Sequence, residues 1–146
     1  MLWQERRKVN DMFNRIKIYF RMKTYNLRKR IQRFIRGYAY SDVWDIDCWF
    51  MNTLKPMLIH LRDHGIGIPM DLYQEGAENE REKWEIVLTE MISLLTLMDE
   101  DEARKHLEIY DNDYSVESYQ KVGEFMDNTK NRFFELFSKY FYNLWD

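Results

Sequence analysis

Cysteine occurs once, at Cys48, so the chain can close no internal disulfide. A lone thiol fits a reducing compartment better than the outside of a cell. Apolar runs are short. None approaches the roughly 18 residues that span a bilayer, and the opening segment is too charged for the apolar core of a signal peptide. The expectation is a cytoplasmic protein with no membrane span. Glycine (five) and proline (two) are scarce beside nine Met, ten Tyr, nine Phe and five Trp. Side chains of that size bury enough apolar area to offset ordering, which excludes a disordered chain. With 146 residues, a single domain over 1–146 can build a core without disulfides or structural metal.

Acidic residues are nearly missing from the start of the chain. Residues 1–40 hold twelve Lys or Arg against Glu5 and Asp11, a charge of +10, whereas residues 41–146 hold ten against twenty-three, a charge of −13. Such asymmetry points to an acidic partner for the first segment: nucleotide, nucleic acid, membrane surface or the protein's own acidic part.

What is present is helical periodicity. At 100° per residue, Val9, Phe13, Ile16, Phe20, Leu27, Ile31 and Phe34 fall within about 60° of one another, which predicts one long amphipathic helix over roughly residues 3–35. Lys and Arg occupy most of its remaining circumference, and Gly37 suits its end. A second helix is expected from Ser41 or Asp42, either able to cap it, through Val43, Ile46, Phe50, Leu54, Met57, Leu58 and Leu61 to Gly65. Pro56 inside it removes a backbone donor and predicts a kink. Residues 66–79, with Gly67, Pro69 and Gly76, read as a loop. Trp84, Val87, Leu88, Met91, Leu95 and Met98 mark a third helix. The run Asp99 to Glu102 followed by Arg104 and Lys105 suits a short fourth, with acids at its start and bases at its end. A fifth runs from Ser115 to about Leu144 and is unusually aromatic. Phe133, Phe134, Phe137, Tyr140, Phe141 and Trp145 cover a face wider than one neighbour needs, as expected of a core centre or an oligomer interface. The fold class is therefore all-α: a single-domain bundle of four to five helices, with a basic amphipathic helix over 1–36, possible as a projecting or oligomer-forming element, and an acidic body over 37–146.

Motifs that carry chemistry are few. Tyr19, Tyr25, Tyr38 and Tyr40 stand among the cations, a combination that neutralises phosphates and stacks bases. Arg28, Arg30, Arg33 and Arg36 are the candidate phosphate contacts, and Tyr38, Tyr40 and Trp44 the candidate stacking rings. The bland alternative is a solvated helix packed by its stripe onto the acidic body. Asp47 lies about 40° from Val43 on the second helix's apolar face. It is expected there either as a buried partner of an Arg or Tyr hydroxyl or as a ligand-contacting or general-base carboxylate. His60 and His64, spaced i and i+4, could share a metal, but no third ligand is indicated and surface histidines are the better reading. Asp111, Asp113 and Ser115 imitate the opening of a calcium loop, yet Val116 and Val122 stand where that loop needs Gly and Glu, so turn and cap roles are expected. No Gly-rich phosphate loop or nucleophile–base pair occurs, and neither catalysis nor a bound cofactor is expected.

Gly37, Ser41-Asp42, Trp44, Ile46-Asp47, Leu54, Pro56, Leu58, Arg62, Gly67 and Pro69, then Trp84, Leu88 and Met91-Ile92, then Leu136 to Phe141 and Leu144 to Asp146, resemble a family of small uncharacterised tailed-bacteriophage proteins. The resemblance covers about residues 37–98 and 133–146 and leaves out the basic helix. It implies a phage origin and action in the host cytoplasm, and it carries no catalytic residues. Small phage proteins without a virion or replication signature often counter host defence by binding. The expected function is thus sequestration of an anionic nucleotide signal or a host defence protein by a homo-oligomer. The alternative is a general nucleic-acid-binding accessory of phage replication or packaging.

Overall fold

The computed structural model describes residues 2–72, 79–110 and 112–145; the side chains of residues 2–11, 13 and 20 lie outside that description. Gly76 and Asp111, singled out in the sequence, fall outside it as well. Five α-helices and no strand occur among the described residues: α1 (Leu2–Arg36), α2 (Ile46–His64), α3 (Glu80–Leu97), α4 (Glu100–His106) and α5 (Val116–Tyr140). Short 3-10 turns occupy Tyr40–Val43, Met70–Leu72 and Phe141–Asn143. The fold is all-α, with a long basic first helix and a long last one. The chain forms two compact units, residues 1–46 and 47–146.

The first unit is α1 and the 3-10 turn after it. Its 35 residues make a helix of about 52 Å. Gly37 ends it at φ +80, a left-handed conformation that favours glycine, and its N–H donates to the Arg33 carbonyl (2.8 Å). The stripe members with described side chains, Ile16, Leu27, Ile31 and Phe34, are all exposed.

The second unit carries the core. Trp84, Leu88, Met91, Ile92 and Leu95 recur at helical spacing along α3 and meet Leu58 and Leu61 of α2 and Phe133, Leu136 and Tyr140 of α5. The α2 helix continues through Pro56. It stops at Gly65, where a Cβ would lie 2.5 Å from the Leu61 carbonyl oxygen, so a side chain there is excluded by backbone. Arg81 of α3 closes this end of α2, its guanidinium donating to the carbonyls of Arg62 (2.6 Å) and Gly65. That supplies partners for carbonyls a helix end leaves unpaired. Asp99 caps α4 by accepting from the N–H groups of Asp101 and Glu102, and Ser115 caps α5 by accepting from that of Ser118. Arg104, nearly buried, binds Glu100 and the Asp113 carbonyl and lies over the Tyr119 ring, tying α4 to the start of α5.

Two expectations change. The second helix begins at Ile46, five residues after Ser41, because Ser41 and Asp42 belong to the 3-10 turn and the Asp42 carboxylate is engaged with α1. The aromatic end of α5 is divided: Phe133 and Tyr140 are core, fully and almost fully buried, and have no surface left for an oligomer interface. Phe137 packs against that core and Phe134 is exposed, while the helix ends at Tyr140, short of Leu144, so that Phe141 in the 3-10 turn and Trp145 after it are exposed beyond α5.

Trp84 has no exposed surface, and its ring lies 5.3 Å from that of Tyr140. Trp84→Ala is expected to lower the unfolding free energy by about 3 to 5 kcal/mol in urea denaturation. A change below about 1 kcal/mol would remove α3 from the centre of this core.

Candidate functional site

The first unit contains a groove of about 320 Å³ lined by Tyr25, Arg28, Lys29 and Gln32 of α1 and by Tyr40, Ser41 and Trp44 beyond it. Its α1 wall follows from spacing: positions 25, 28, 29 and 32 are i, i+3, i+4 and i+7 and share one side of a helix. Its second wall exists because the chain turns back after Gly37. Asp42 fixes that return. Its carboxylate accepts from Arg33 Nε (3.0 Å) and Nη2 (2.8 Å) and from the Ala39 backbone N–H (2.8 Å). The Tyr40 N–H donates to Gln32 Oε1 (3.2 Å), and the Arg36 guanidinium covers the Tyr40 ring at 4.9 Å. The Lys29 ammonium lies 4.4 Å over the Tyr25 ring. Trp44 is 87 % exposed, so its indole face is open to a ligand.

The electrostatics are divided between anchoring and reception. Arg33, followed by the Ala39 N–H, holds the Asp42 carboxyl well below the ordinary value of 3.8, and the same pair raises Arg33. Arg33 is thereby committed to the turn. Arg28 and Lys29 supply the positive charge on the groove lining.

Of the residues expected from sequence to bind a ligand, Arg28, Tyr40 and Trp44 come together here. Arg30 does not, since it lies two positions after Arg28, roughly 200° round the helix. Arg36 touches the site through the Tyr40 ring, and Tyr38 is partly exposed outside the lining. Asp47 was expected among buried positions on an apolar face. It is exposed in the first turn of α2 beside the exposed Ile46, Val43 is exposed in the preceding 3-10 turn, and Asp47 belongs to the second unit. The buried carboxylate paired with an arginine is Asp42. Sequence reasoning missed Tyr25, Lys29, Gln32 and Ser41 as a set; the i, i+3, i+4, i+7 pattern around Arg28 was the available signal.

The other motifs are accounted for locally. The His60 and His64 rings are 4.8 Å apart on exposed turns of α2, and no group of three His, Cys, Asp or Glu able to hold a metal occurs among the described residues. Asp113 accepts from the Ser115 N–H and the Ser118 hydroxyl at the head of α5, a capping arrangement. The second unit also has an apolar hollow of about 400 Å³ beside Leu54, Met57, Leu144 and Trp145. A further one of about 260 Å³ lies beside Cys48, Lys55, Asp99 and Glu102. Neither joins several cations to aromatic rings.

A lowered carboxyl pKa stabilises the turn above the ordinary value, and that contribution is lost as pH falls through the lowered one. Carboxyl-carbon NMR titration is therefore expected to place the Asp42 midpoint well below 3.8. Exchange protection of the Ala39 amide should disappear over the same range. A midpoint at the ordinary value would contradict the pairing. Comparison with known proteins finds no matching family model, no matching curated protein and no matching solved structure.

Proposed function

We propose that the chain is a phage-encoded binding protein, without turnover, that counters host defence by sequestering an anionic nucleotide signal in the groove between α1 and the 40–44 turn. The observation that carries this reading is the lining: two cations, three aromatic rings and two hydrogen-bonding side chains around about 320 Å³. That size lies at the small end of ligand pockets, roughly 300 to 1,000 Å³. Phosphates answer to Arg28 and Lys29, a base stacks on Tyr25, Tyr40 or Trp44, and Gln32 and Ser41 are placed to read polar edges. The likeness of residues 37–98 and 133–146 to small phage proteins supports the setting. A host defence protein presenting a phosphate or carboxylate to the same groove is the other form of this function. Self-association would use Phe134, Phe141 and Trp145, the exposed part of the aromatic end.

The second reading is a general nucleic-acid-binding accessory protein, favoured by the density of cations along α1. Salt separates the two. A polyanion held by many phosphate contacts weakens steeply, by about 0.7 (single strands) to 0.9 (duplex DNA) in log K per log salt for each contact, whereas one nucleotide in a formed groove depends on salt far less.

Calorimetric titration of the full chain with mononucleotides, dinucleotides and cyclic oligonucleotides is expected to find one ligand class that saturates at one per groove. Arg28→Glu combined with Lys29→Glu should weaken it by about tenfold or more, with helicity unchanged. Binding unaffected by the double substitution would move the site elsewhere. A steep salt slope with single-stranded nucleic acid and no saturable small nucleotide would favour the second reading.

A further inference from the structure

The groove uses one side of α1 and leaves the other unexplained. Measured from the axis of the Val9 to Phe34 stripe, Tyr25, Arg28, Lys29 and Gln32 lie roughly 90° to 190° away. On the stripe itself, Ile16 is 43 % exposed, Leu27 58 %, Ile31 49 % and Phe34 92 %. Cations border it on both sides: Lys17 on one, Lys23 and Arg30 on the other, all within about 70° of the axis. Arg30, which the groove does not employ, thus stands beside the stripe.

We propose that this face of α1 docks on an anionic phospholipid membrane, with the helix lying in the plane of the headgroups. No helix among the described residues is long and apolar enough to cross a bilayer, which separates lying on a membrane from spanning it. An interfacial helix needs aliphatic and aromatic side chains on one face and Lys or Arg around them, because long cationic side chains reach up to lipid phosphates while their stems stay in the apolar layer. Charge complementarity is provided by the +10 of residues 1–40. Competing occupants satisfy only part of this surface. Nucleic acid would neutralise the cations and leave Leu27, Ile31 and Phe34 in water. A second copy would bring two strongly basic helices together, with Lys23 and Arg30 at the seam. A single partner helix is selected by charges of both signs or a polar seam residue that sets register. The single-signed border here suits a laterally uniform anionic surface instead.

The test uses the full chain in flotation assays with vesicles of phosphatidylglycerol and phosphatidylcholine in equal parts, and with phosphatidylcholine alone. The chain is expected to float with the anionic vesicles and to partition at least about tenfold less onto the neutral ones. Ile31→Ser combined with Phe34→Ser, both at exposed positions, should lower partition by on the order of tenfold or more. Circular dichroism should show helicity retained, and nucleotide titration of the same variant should be unchanged because the groove lies on the other side of α1. A wild-type chain left unbound by anionic vesicles overturns the proposal. So does a double variant that floats like wild type, which would indicate adhesion by charge alone. Loss of a dimer in sedimentation velocity, with vesicle partition unaltered, would give the stripe to a second copy and equally overturn it.

Discussion

The pair of Arg33 with Asp42 is the contact on which the candidate site depends. A helix alone offers one convex wall, and α1 becomes one side of a groove only because the chain reverses after it and stays in place. Gly37 permits the reversal by adopting φ +80. The Asp42 carboxylate then holds it, accepting from Arg33 and from the buried Ala39 backbone. Because the two guanidinium donors meet the carboxylate together, direction is fixed as well as distance. Tyr40, Ser41 and Trp44 take their places as a consequence, and a ligand would meet rings already arranged, so that less of its binding free energy goes into ordering them.

The second unit solves a different problem, that of building a core between helices. The solution is one central helix, α3, whose apolar residues are shared by α2 and α5, with arginines at the helix ends. Arg81 occupies carbonyls at the end of α2, and Arg104 joins α4 to α5. These cations are structural, and they show why net charge says little about where a ligand binds. The acidic excess of residues 41–146 includes several carboxylates already engaged with arginines, such as Glu85 with Arg81 and Glu90 with Arg132. Exposed pairs of this kind contribute little to stability individually. They do reduce the acidic field of the second unit itself.

Much of the helix pattern was legible because periodicity is local. The extent of α1, the apolar positions of α3, the Asp99 and Ser115 caps and the stop at Gly65 all follow from residues within a turn or two of each other. The start of α2 was not legible. Ser41 and Asp42 are good caps by residue type, but the partner of Asp42 is nine residues away on another helix, and capping preference carries no information about it. The aromatic end of α5 shows the same limit. A wide ring of Phe and Tyr predicts burial without saying against what, and the structure divides it between the core at Phe133 and Tyr140 and the surface at Phe134 and Phe141. For the candidate groove, residue type singled out Arg28, Tyr40 and Trp44, three of the residues that line it. Only geometry could show that Arg33 is occupied by Asp42, whereas the spacing of Arg28 and Arg30 already placed them on different sides of the helix.

The proposed function stands or falls on whether the groove of Arg28, Lys29, Tyr40 and Trp44 retains an anionic nucleotide. Native mass spectrometry of the intact chain, purified gently from defence-active bacterial cells, tests it most directly, because one spectrum reads assembly state and retained ligand together. Sequestration as proposed requires a mass that exceeds that of the chains present by one nucleotide per groove, with the excess lost on Arg28→Glu. An assembly carrying no excess mass from cells that contain the signal would contradict it and direct attention to a protein target.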